Sequence, residues 1–69
     1  MTIKKILVCS KSMETFNAQM NYFLDNGMQL EGPLKITHGN GGNIRYHQMF
    51  VGDINEYEYK VLIDFLTVQ

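Results

Sequence analysis

At 69 residues the chain has room for one domain, spanning 1–69, and a domain this small buries a smaller share of its surface than a larger one. Hydrophobic residues at 45% and charged residues at 19% fit a folded globular chain and exclude a disordered tail. A net charge of -1 argues against a protein that coats bulk DNA or RNA, the single cysteine excludes an internal disulfide and a cysteine-built zinc site, and no stretch reaches the length of a membrane span.

Ile3 to Cys9 is rich in aliphatic and β-branched residues and reads as the first strand. Its middle, Ile6-Leu7-Val8, is apolar on both faces, which predicts a central strand with a buried Cys9 acting as an inert core thiol. The apolar run ends at Cys9 with no small-residue cleavage pattern behind it, so no signal peptide is expected. A free thiol suits a reducing compartment, and the predicted location is the cytoplasm.

Ser10 and Ser12 offer N-caps for a first helix, whose apolar positions Met13, Phe16, Met20, Phe23 and Leu24 recur at helical spacing. Asn26-Gly27 closes it, because glycine can take the left-handed conformation that satisfies the last carbonyls. Met28, Leu30, Leu34 and Ile36 then alternate with Gln29, Glu31, Lys35 and Thr37, the period-two pattern of a strand with one buried face. Pro33 cannot donate to a sheet ladder, so Gly32-Pro33 marks an edge strand or a bulge.

Residues His38 to Asn43 turn the chain, and Ile44 to Val51 forms a third strand closed by Gly52-Asp53. Asn55 with Glu58 makes a capping box for a second helix, with Ile54 and Tyr59 placed as a hydrophobic staple. The stripe of that helix runs through Ile54, Tyr57, Val61, Leu62, Phe65 and Leu66. The expected fold is α+β, a three-stranded sheet in β-α-β-β-α order with both helices packed on one face. If the third strand inserts between the other two, the topology is a split β-α-β, and the opposite sheet face is left for partner molecules. Met13, Met20, Met28 and Met49 suit either a deformable core or such a contact.

The segment His38-Gly39-Asn40-Gly41-Gly42-Asn43-Ile44-Arg45-Tyr46-His47 crowds glycines, amides, two histidines and an arginine together. One reading is a hairpin turn rich in residues that tolerate positive φ. The other is an anion or nucleotide site, in which backbone N–H groups converge on phosphate oxygens, Arg45 makes bidentate contact and an aromatic ring stacks on a base. The pattern is not a P-loop, since it lacks the Gly-Lys-Ser/Thr ending and precedes a strand. Side-chain alternation puts Arg45 and His47 on one face of the third strand and Tyr46 and Gln48 on the other. His38 and His47 lack a third metal ligand nearby, with Asp53 and Glu56 beyond the far end of the strand, so no metal or cofactor is expected.

The residues Asn26-Gly27-Met28, Glu31-Gly32 and Tyr46-His47-Gln48-Met49-Phe50-Val51 resemble a family of very small bacterial and phage proteins known only as a domain of unknown function. That family has a strand, a helix, a Gly-Trp turn and a strand reading roughly Tyr-Tyr-Gln-Ala-Met-Val. Here Met28 stands for the tryptophan and His47 for the second tyrosine, and the resemblance covers roughly residues 5 to 51. It implies the fold, transfers no catalytic residue, and leaves the last helix as an addition suited to oligomerisation.

The functional expectation is a non-catalytic, homo-oligomeric binding protein that sequesters a small anionic ligand, a nucleotide signal in its concrete form, at a loop shared between subunits. In scale and loop chemistry it is similar to small phage proteins that act as sponges for nucleotide immune signals, a form of host-defence evasion. Its ligand-binding residues would be Lys35, His38, Asn40, Gly41, Gly42, Arg45 and His47, and its oligomer contact Tyr57, Tyr59, Phe65 and Leu66. The rival expectation is a protein-interaction module that docks on and inhibits a host protein through a strand edge or the aromatic helix.

Overall fold

The computed structural model describes residues 2–67. The elements follow in the order β1 (Ile3–Ser10), α1 (Met13–Asp25), β2 (Gln29–His38), a single 3-10 turn at Asn40–Gly42, β3 (Ile44–Asp53) and α2 (Glu56–Thr67). The sheet order is β1-β3-β2, and β3 is antiparallel to both neighbours. β1 and β2 therefore run parallel, joined across α1 with β3 inserted between them, which is the split β-α-β arrangement.

The element boundaries follow from local chemistry. Ser12 caps α1, its side chain accepting from the Thr15 amide at 3.3 Å. At the other end the Met28 amide donates to the Phe23 carbonyl and the Gly27 amide to that of Leu24, with Gly27 at φ +87°. This pairing satisfies the carbonyls the helix end leaves free, and it carries Met28 into the core beside Phe23. α2 opens with a reciprocal capping box, the Glu58 amide donating to Asn55 Oδ1 at 2.8 Å and the Asn55 amide to Glu58 Oε1 at 3.2 Å.

The core forms where the even-numbered positions of β1 and β3 meet the helices. Ile6, Val8 and Phe50 from the sheet, Phe16 and Phe23 from α1, and Met28, Ile54 and Leu62 are all buried. The rings of Phe23 and Phe50 lie 5.1 Å apart, and Tyr22 of α1 stacks on Phe65 of α2 at 3.9 Å, which ties the helices together. Gly52 belongs here too, since a Cβ at that position would run into the Met28 sulfur. Lys4 reaches α2, pairing with Glu56 and lying 5.0 Å from the centre of the Tyr59 ring. That hydrogen bond and charge hold the Glu56 carboxyl below its ordinary value.

Four expectations are corrected. β1 is an edge strand, not the central one, because an apolar Ile6-Leu7-Val8 run reads the same whether its second face is covered or bare. Leu7 stays 53% exposed on that bare face, and Cys9, two residues on, is exposed with it and not in the core. The apolar row of β2 is not buried either, as Leu30, Leu34 and Ile36 are about half exposed. The helices lie toward β1, where α1 makes most of its sheet contacts and α2 meets Lys4. In α2, Tyr57 leaves the predicted stripe and projects outward, 76% exposed.

Candidate functional site

The candidate site is built from the far half of the β2–β3 hairpin, on the sheet face that carries no helix. Cross-strand register sets Lys35 opposite His47 and Thr37 opposite Arg45, with Cys9 of β1 on the other side of His47. Since alternate residues share a face, Lys35, Thr37, Arg45, His47 and Cys9 all occupy the bare side, while Tyr46 packs beneath α1 against Phe16, ring centres 5.7 Å apart. The predicted division of β3 into an Arg45/His47 face and a Tyr46/Gln48 face holds, and the second of these is the buried one.

Lys35 owes its place to a break in the ladder. Glu31 pairs with Met49 and Lys35 with His47, so three residues of β2, Gly32, Pro33 and Leu34, stand opposite the single residue Gln48. Gly32 at φ +75° turns the chain out, and Pro33 has no amide to leave unpaired. The carbonyls released by the break are taken up from inside. Gln48 is buried, and its Nε2 lies 3.0 Å from the Gly32 oxygen, 3.3 Å from that of Glu31 and 3.1 Å from that of Met49. Two N–H groups are thus shared among three acceptors, fixing the bulge and with it the Lys35–His47 pairing.

The bulge leaves a hollow of ≈ 180 Å³ on the bare face, lined by Leu7, Glu31, Gly32, Pro33, Lys35, His47 and Met49. Its one carboxylate, Glu31, is met by Lys5 at 3.0 Å. Beside it His47 Nε2 and Thr37 Oγ1 lie 3.0 Å apart; the hydroxyl donates when Nε2 is bare and accepts when Nε2 carries the proton. A second, wider concavity of ≈ 410 Å³ lies at the start of α2, but Asp53, Glu56 and Glu58 line it and would repel an anion.

The remaining predicted residues do not converge on this cluster. His38 pairs with Ile44, and Ile44 shares the helix-side face with Tyr46, so the two histidines point to opposite sides of the sheet. The Gly-Asn loop closes on itself at the hairpin tip: the Gly39 amide donates to the Asn43 carbonyl at 2.6 Å, and Asn43 Nδ2 donates to the Asn40 carbonyl at 3.1 Å. Gly41 and Gly42 take the left-handed conformation at φ +75° and +81°, which the turn itself requires. Of the predicted oligomer contact, Tyr59 and Leu66 pack against the core and Phe65 stacks on Tyr22, leaving Tyr57 as the projecting member. Among the described residues no group of three or more metal-ligating side chains comes together, and no helix is long and apolar enough to cross a membrane.

Leu30, Ile36 and Ile44 form an apolar row on the helix side that stays exposed among the described residues, and Gln48 is the residue that holds the bulge. Neither role was visible in the sequence, since both depend on where the helices and the bulge come to lie. The chain matches no protein-family model, no curated protein and no solved structure.

Proposed function

We propose that the protein is a non-catalytic, homo-oligomeric binding protein that captures a small anionic ligand, a nucleotide signal in its concrete form, on the bare sheet face beside the hairpin. The observation that carries this reading is the gathering of Lys35, Arg45 and His47 on one face, in adjacent rows and next to a hollow. Arg45 supplies a planar fork for two phosphate oxygens, Lys35 a point charge, and His47 and Thr37 hydrogen bonds. The self-bonded loop of Asn40, Gly41 and Gly42 then acts by holding the two strands in register, with His38 outside the contact.

Self-association is supported by apolar side chains left exposed among the described residues. Leu30, Ile36 and Ile44 lie in a row on the helix side of β2 and β3, away from the basic cluster, so a second copy seated there leaves the ligand face open. The resemblance to small phage and bacterial proteins fits a cytoplasmic protein that sequesters a host signal. Calorimetry against a panel of nucleotides and cyclic dinucleotides tests the reading. It expects heat with at least one ligand and loss of that heat in Arg45→Ala; silence across the whole panel overturns it.

A second reading, a module that binds and inhibits a host protein, is favoured by the same uncovered row together with the unpaired edge of β2. It predicts one stoichiometric host protein recovered by pull-down, retained in Arg45→Ala and lost in Leu30→Asp.

A further inference from the structure

We infer that the hollow at the β2 bulge seats a flat ring carried by the anion, which narrows the ligand class to ring-bearing phosphate esters. This rests on the anion reading above and goes beyond it in assigning the uncharged half of the ligand. The hollow is chemically divided. Leu7, Met49 and Pro33 line it with carbon, Leu7 and Met49 being cross-strand partners in one row. Lys35 and His47, partners in the next row, edge it with nitrogen. Glu31, the remaining charged group, already meets Lys5, so the wall it forms does not oppose an anionic ligand as a lone carboxylate would.

The size of the hollow fits this division. At ≈ 180 Å³ it falls below the roughly 300–1,000 Å³ of pockets that enclose a whole drug-sized ligand, so it takes one part of a ligand. Rows on one face of a strand are about 7 Å apart, so a ring between the Met49 and His47 rows puts a short-linked phosphate at Lys35 and Arg45. A ring also suits the surfaces offered, because Pro33 and Met49 present a proline ring and a polarisable thioether to its face. The bulge sets the extra residues Gly32, Pro33 and Leu34 opposite Gln48, whose Nε2 holds the Gly32 carbonyl at 3.0 Å.

Two monoesters of equal charge, phenyl phosphate and methyl phosphate, test the inference by calorimetry and by the Met49 methyl signal in NMR. Phenyl phosphate is expected to bind at least about tenfold more tightly and to shift the Met49 methyl upfield through its ring current, while methyl phosphate leaves that signal in place. Leu7→Ser changes an exposed side chain, so the fold should persist, and it is expected to bring phenyl phosphate down to the methyl phosphate level without weakening the latter. Equal affinities for the two esters, both reduced by Lys35→Ala, would overturn the ring assignment and leave the anion reading standing. Binding of neither ester overturns both.

Discussion

Replacing Gln48 with leucine keeps the side-chain volume and removes the amide that holds the bulge. In the native chain that amide stands 3.0 Å from the Gly32 carbonyl and 3.3 Å from that of Glu31, and both acceptors lie where the ladder to β3 is interrupted. A buried acceptor left without a donor costs about 1–3 kcal/mol. Gly32 is exposed and Glu31 partly so, and water reaching them places the expected loss in Gln48→Leu at about 1–3 kcal/mol for the pair together. A chain of this length holds roughly 3–10 kcal/mol of stability in all, and each kcal/mol lost lowers Tm by about 4–8 °C. Urea unfolding followed by circular dichroism measures the change, with an m-value close to wild type because the surface exposed on unfolding is nearly the same. NMR contacts between Lys35 and His47 should weaken in parallel. A variant within about 0.5 kcal/mol of wild type that keeps those contacts refutes the idea that Gln48 sets the bulge.

Other consequences are open to direct measurement. The lowered carboxyl of Glu56 marks a group that stabilises the fold above its unfolded value of 4.5 and loses that contribution as pH falls through its folded value. Lys4→Met should therefore raise the Glu56 titration midpoint toward 4.5 in NMR and flatten the fall in stability below that pH. Gln19 is buried on α1 and its Oε1 has no partner among the described residues, so Gln19→Met, which keeps the shape, is expected to raise stability by about 1 kcal/mol in urea unfolding. Cys9 should react with a thiol reagent in the folded protein without denaturant, as its place on the bare face requires.

How much of this was legible in the sequence follows the range of each interaction. The Ser12 cap, the Asn26-Gly27 stop and the Asn55/Glu58 box each join residues within about one helical turn, so local sequence alone specifies all three. Pro33 was readable for a related reason, because a missing amide excludes an interior ladder position whatever surrounds it. The parity of β3 was correct since it needs only counting along one strand. Counting across strands was not possible. The three residues opposite Gln48 shift β2 against β3, so neither the Lys35–His47 pairing nor the opposed faces of His38 and His47 could be deduced from spacing. The misplacement of β1 and the burial expected of Cys9 share one cause. An apolar face is recorded in sequence whether or not anything packs on it, and here Leu7, Leu30 and Ile36 stay exposed.

The proposed anion site lies between Lys35, Arg45 and His47 on the bare sheet face. A titration of backbone amide NMR signals with the tightest-binding nucleotide of the panel tests it most directly. Saturable shifts centred on Lys35, Thr37, Arg45 and His47, and abolished in Arg45→Ala, are the predicted result. Shifts centred on α2, or no saturable shift at millimolar ligand, would contradict it.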